Sequence, residues 1–133
     1  MKIEVSIGEV VDKITILQIK AEKITDESKL IHIKEELDIL TKTLISSAIP
    51  VPKQLIDELK DINLQLWDAE DIIRDSENKK RFDAEFVKCA RLDASLNDKR
   101  FLVKNQINNE CESTIKEQKS YEGLYSANWA VDW

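Results

Sequence analysis

Apolar residues recur along this chain at alternating steps of four and three, the spacing that lines one side of a helix. The longest run is Leu55, Leu59, Ile62, Leu66, Ala69 and Ile73. Asp57, Asp61, Leu64, Asp68, Asp71 and Asp75 repeat the same steps two residues out of phase. At about 100° per residue, that offset places the acidic stripe opposite the apolar one, so this segment reads as a helix with a core seam and a solvated acidic face. Earlier in the chain, Ile7, Val10, Ile14, Leu17, Ala21 and Ile24 form a first seam, widened by Val11, Ile16 and Ile19. Ser6 and Glu9 stand at capping-box spacing in front of it. Asp26 or Ser28 caps a second helix whose seam is Leu30, Ile33, Leu37, Leu40 and Leu44. Pro50 and Pro52 separate it from the third, with Pro52 suited to the first turn of the new helix.

The pattern predicts four helices at 6–24, 28–46, 53–78 and 82–114, in one all-α domain. Short connections favour antiparallel neighbours, either as a helical bundle or as paired long hairpins. Residues 1–5 read as a short extended arm, 6–120 as the helical body and 121–133 as an aromatic tail. Only 2 Gly and 2 Pro, with 42% hydrophobic and 35% charged residues, agree with a helical domain.

Helix four breaks the pattern. Its seam reads Phe82, Phe86, Cys89, Asp93, Leu96, Arg100, Val103 and Ile107, so Asp93 and Arg100 occupy core-type positions. With Asn97, Lys104 and Asn108 they make a polar stripe. A charge in a seam costs several kcal/mol unless it is paired or wet. Three readings follow: the stripe rims the bundle with snorkelling side chains, it fixes register at a subunit contact, or it grips an anion through Arg100 and Lys104 with Asn97 beside them. In every case Arg100 calls for an acidic partner such as Glu70 or Asp12, a neighbouring chain, or a bound anion. Trp67, Glu70 and Arg74 on helix three form a second candidate cluster, either a surface ion pair beside a half-buried Trp or a complement to the helix-four stripe. The candidate ligand-binding set is thus Glu70, Arg74, Arg91, Asp93, Asn97, Arg100 and Lys104.

Charge narrows the chemistry. The net charge of −6 argues against nucleic-acid binding, which needs a concentrated basic face. No apolar run approaches a membrane span, and no signal segment precedes the first helix, so a cytoplasmic location is expected. Cys89 and Cys111 on one helix would stand about 33 Å apart, too far for a disulfide. A single histidine, His32, excludes multi-histidine metal sites and reads as a surface residue. The acidic stripe does not converge into a cation cage. With Gly8 and Gly123 the only glycines, there is no phosphate-binding loop, and no metal or cofactor is expected.

Tyr121, Tyr125, Trp129 and Trp133 recur every four residues in a chain with 6% aromatics. They either close the chain's own core or meet another subunit. The long seams and these aromatics together favour a homo-oligomer, most simply a two-fold dimer.

The opening run from Ile3 to Leu17, IEVSIGEVVDKITIL, resembles the start of a family of short bacterial and phage proteins known only as a domain of unknown function. Further resemblance lies in Leu66 to Arg74, in Ala90-Arg91 followed by Asn97-Asp98-Lys99-Arg100, and in Lys119-Ser120-Tyr121. The resemblance runs to about Tyr121. It implies that Gly8 to Lys13, Trp67 to Arg74 and Arg91 to Lys104 belong to the family pattern, and it supplies no catalytic residue. The reading that results is a small, self-associating, non-enzymatic interaction module. Its competitor is a helical enzyme or ligand-binding protein that grips an anionic small molecule with helix four and the Glu70–Arg74 pair.

Overall fold

A computed structural model describes residues 1–111 and 118–120. Four helices account for most of them: α1 (Ile7–Lys23), α2 (Glu27–Ser46), α3 (Lys53–Asn78) and α4 (Ala84–Glu110). No strand occurs among the described residues. The stretch beyond Glu110 assigned to the fourth helix, and Tyr121, Tyr125, Trp129 and Trp133, lie outside the described residues.

The helix starts follow local chemistry. Ser6 Oγ accepts the Glu9 amide at 3.1 Å, satisfying one orphan donor of α1. The reciprocal half of the capping box is not made among the described residues, because the Glu9 carboxylate turns instead to Lys104, 2.8 Å away. Asp26, rather than Ser28, caps α2 by accepting the amides of Ser28 and Lys29. Pro52 stands just before α3 as its cap residue, one place earlier than expected, and its carbonyl accepts the Leu55 and Ile56 amides. Asp83 caps α4 through the Phe86 amide at 3.1 Å, so Phe82 falls outside the helix. Phe82 is consequently exposed and packs edge-on against the Phe86 ring rather than joining the buried seam.

Short turns make two hairpins, α1–α2 and α3–α4. α1 lies against both helices of the second hairpin, and among the described helices α2 packs only on α1. The apolar core is therefore three helices wide. Leu55, Leu59, Ile62 and Leu66 of α3 meet Leu96, Val103 and Ile107 of α4, with Val11 of α1 closing the cluster. Leu59 and Ile107 have no exposed surface at all. The acidic stripe of α3 stays in solvent: Asp57, Asp61, Asp68, Asp71 and Asp75 are all exposed.

The seam of α2 differs from expectation. Not one α2 residue is fully buried, and Leu30, Ile33, Leu37, Leu40 and Leu44 are each only half-buried. A helix with a single neighbour covers one flank of its apolar stripe and leaves the other open. Only Leu44, with Val51 in the following turn, reaches the central cluster.

Gly8 sets how closely α1 approaches α4. A Cβ at this position would lie 2.5 Å from the Lys104 carbonyl oxygen and 2.9 Å from Asn108 Oδ1. The first of these is backbone and cannot swing aside. The Gly8 amide also donates to Asn108 Oδ1 at 2.7 Å, tying the start of α1 to the end of α4. In an exposed helix, Gly→Ala gains about 1 kcal/mol from propensity. Here overpacking dominates, at roughly 1–3 kcal/mol. Gly8→Ala is therefore expected to lower stability in urea unfolding, whereas a gain would show that the helices separate freely.

Candidate functional site

The stripe Gly8, Asp12, Thr15 and Ile19 repeats the steps of four, three and four along α1, and all four residues are buried. It runs beside the apolar seam and turns toward α3 and α4. Asp12 is its centre, with 1% of its side chain exposed. From α4, Arg100 Nε donates to Asp12 Oδ1 at 2.8 Å, while a second guanidinium nitrogen meets Oδ2. From α3, Asn63 Nδ2 donates to Asp12 Oδ1 and to Thr15 Oγ1, each at 3.0 Å. Thr15 Oγ1 in turn donates to the Asp12 carbonyl at 2.8 Å. One turn nearer the start of α1, Lys104 reaches Glu9; its side chain is 7% exposed. A polar layer thus joins α1 to both other core helices.

Removal from water alone would raise the Asp12 carboxyl. Hydrogen bonds from Arg100 and Asn63, with the charges of Arg100 and Lys104, more than offset this and hold it below the ordinary carboxylate range. Arg100 therefore meets the acidic partner that its seam position requires, and that partner is Asp12 rather than Glu70.

Glu70 has another neighbour. Its carboxyl group faces that of Asp93 across the α3–α4 hairpin. Desolvation first, then the closeness and charge of the Asp93 carboxyl, push Glu70 above the usual carboxylate range against the pull of Arg74 and Arg100. Asp93 Oδ1 is buried and accepts from no donor in the described structure, while its other oxygen takes a long 3.4 Å bond from Asn97. A protonated Glu70 supplies the donor that this pair lacks when both carboxylates are ionised.

Arg100 stands between two clefts. The larger, about 370 Å³, is lined by Ile16 and Lys20 of α1, by Asn63, Leu66, Trp67, Glu70, Asp71 and Arg74 of α3, and by Arg100. The smaller, about 210 Å³, is lined by Glu9, Asn97, Arg100, Phe101, Lys104 and Lys119, the last with its ammonium 5.7 Å from the Phe101 ring centroid. The seven candidate residues accordingly do not form one pocket. Glu70, Arg74 and Arg100 share the larger cleft, Asn97, Arg100 and Lys104 share the smaller, and Asp93 joins the set through Glu70. Arg91 is exposed on α4 and lines neither cleft. Thr15, Asn63 and Lys20 complete the site without having been singled out from sequence, whereas Asp12 was expected as one of the possible partners of Arg100 and Glu9 only as half of a capping box. The four-three-four stripe on α1 was the available signal for Asp12 and Thr15.

Reactive groups are placed elsewhere. Burial, then Glu85, pushes the Cys89 thiol up, and burial with Glu110 does the same for Cys111, so neither is an activated nucleophile. His32 is exposed, 4.0 Å from Glu35. No group of acidic, Cys and His side chains suited to a metal occurs among the described residues. No helix among them is long and apolar enough to cross a membrane.

Fold and site together define an all-α domain built from two hairpins, with a buried polar layer and two clefts around one arginine. The chain belongs to a family of unknown function, DUF6165, which it matches over residues 1–130. That match extends the resemblance seen to Tyr121 and takes in Tyr125 and Trp129, so most of the aromatic end lies within the matched span. No curated protein and no solved structure matches the chain.

Two expectations follow from these charges. Arg100→Leu leaves the Asp12 carboxylate buried without its main partner, and urea unfolding should show a loss of about 3–5 kcal/mol. Asp12→Asn added to Arg100→Leu should recover a large part of it, because the stranded charge is gone. The Asp12 contribution is present above the ordinary carboxylate value and is lost as pH falls through its lowered folded value. Glu70 has the opposite sign: with a raised folded value, its contribution is full below the ordinary carboxylate value and disappears as pH rises through the raised one. Glu70→Gln, which can donate to Asp93 at every pH, should make the protein more stable than wild type at neutral pH, with the advantage vanishing on acidification. An advantage that persists unchanged to low pH would mean that the two carboxyl groups do not interact.

Proposed function

We propose that the chain is a non-enzymatic helical interaction module that pairs with a second copy of itself through α2. One observation carries this reading: among the described residues, α2 has a five-residue apolar seam, no buried residue and only α1 as a packed helix neighbour. Ile31, Ile39 and Ile45 add exposed apolar surface on the same helix. Charge favours a like partner at this face. α2 balances Lys29, Lys34 and Lys42 against Glu27, Glu35, Glu36 and Asp38, whereas α3 is dominated by acidic residues that repel a second copy. A two-fold pairing of α2 with itself covers the open flanks of both seams with one self-complementary surface. The tail aromatics Tyr121, Tyr125, Trp129 and Trp133 are the residue types in which contacts concentrate their energy, and they are assigned to the same association.

A second reading, small-ligand binding, is favoured by the larger cleft, where a half-buried Trp67 stands among charged side chains.

Light scattering on the full chain at micromolar concentrations is expected to give twice the 15.4 kDa chain mass. The double substitution Ile39→Glu and Ile45→Glu, at positions 63% and 72% exposed, should yield a monomer with undiminished helical circular dichroism. A wild-type monomer contradicts the proposal. Cutting the chain after Ser120 measures the tail's share, and a truncated dimer assigns the contact to α2 alone.

A further inference from the structure

We infer that the cleft between α1, α3 and α4 binds a small amphipathic anion, with Trp67 and Leu66 against its apolar body and Arg74 with Lys20 on its carboxylate or phosphate. This goes beyond self-association and does not depend on it. The volume, about 370 Å³, lies in the range of small-ligand sites, roughly 300–1,000 Å³. Its walls are mixed: Ile16, Leu66 and the Trp67 ring offer apolar surface, and the charged groups stand around them.

The cations differ in how far the fold already uses them. Arg100 is fixed on Asp12 and contributes a positive wall. Arg74 and Lys20 make no hydrogen bond or ion pair in the described structure, although Arg74 lies close enough to Glu70 to influence its charge. Trp67, a half-buried residue of the lining, likewise has no hydrogen-bond acceptor for its indole N–H among the described residues. Three donor-bearing side chains thus line one cleft. A guanidinium is suited to the two oxygens of a carboxylate or phosphate, and an indole supplies both a flat apolar face and a donor.

The acids at the rim do not reverse this balance. Glu70 faces Asp93, which together with desolvation pushes its carboxyl above the ordinary range, and Asp71 is the other acid of the lining, against the cations Lys20, Arg74 and Arg100. Specificity for an amphipathic ligand follows, because a bare anion forgoes the Trp67 and Leu66 contacts and a neutral aromatic forgoes the cations.

The test follows the Trp67 indole and Arg74 side-chain N–H resonances of the full-length protein by NMR. The probes are phenyl phosphate, phenylacetate, inorganic phosphate and phenol. Both aromatic anions should shift both resonances saturably, and the tighter of the two identifies the acid group preferred. Inorganic phosphate and phenol should bind at least about tenfold more weakly. Arg74 is exposed, so Arg74→Gln should keep the amide spectrum of the fold while weakening the aromatic anions about tenfold, the loss expected for one charge-assisted hydrogen bond. Lys20→Gln provides an independent variant, and Glu70→Gln should tighten binding. The inference is overturned if neither aromatic anion moves Trp67 saturably at millimolar concentration. It is equally overturned if inorganic phosphate binds as well as they do, or if Arg74→Gln and Lys20→Gln both bind like wild type.

Discussion

The pairing of Asp12 with Arg100 is the constraint around which the rest of the molecule is arranged. A carboxylate with 1% of its side chain exposed is tolerated only because a guanidinium from α4 and an amide from α3 meet it together. That requirement fixes the rotation of α1 about its axis and its height against α4. Glu9–Lys104 and the Gly8 amide on Asn108 then follow one and two turns from Arg100 along α4, in the order that antiparallel helices impose. Apolar packing supplies most of the driving force, yet a leucine seam alone allows several registers. The polar layer allows one.

The same arrangement explains why chemistry collects where it does. Arg100 must reach inward to Asp12, so it spans the boundary between core and solvent and walls both clefts. The half-buried Trp67 and the Glu70–Asp93 pair stand on the α3–α4 hairpin at the far side of the larger cleft. A perturbed carboxyl, cations and an aromatic ring thus share one concavity, the kind of setting in which binding sites are found. On the other side of α1, α2 has no such network. Its ion pairs, such as Asp38–Lys42 at 2.8 Å, are local and exposed and contribute little to its hold on the bundle.

Helix existence was legible because each seam repeats with the period of the structure that it forms. The third helix matches its expected limits, 53–78, and its acidic stripe lies in solvent as the two-residue offset requires. The partial burial of α2 was not legible, since a seam shows that a helix has an apolar side and not how many neighbours will cover it. Arg100 announced itself as a charge in a seam. Asp12 stood out only as one of two acids that Arg100 could meet, because a single acid among Val10, Val11 and Ile14 reads as an ordinary step toward solvent, and its partner lies 88 residues away. Glu9 was misjudged for a related reason: local spacing suggested a capping box, and a buried lysine from α4 offered the stronger partner. The Trp67–Glu70–Arg74 cluster was visible as a sequence feature, but its connection to Asp93 and Lys20 exists only once three helices meet.

The most direct test of this account is an acid titration that follows the Asp12 carboxyl carbon and the α1 amides in the same NMR samples. The account predicts that Asp12 titrates below the ordinary carboxylate value, and that the amides around Gly8 to Thr15 lose their folded shifts in the same step. A carboxyl that titrates at or above the ordinary value, or α1 amides indifferent to its protonation, would contradict it.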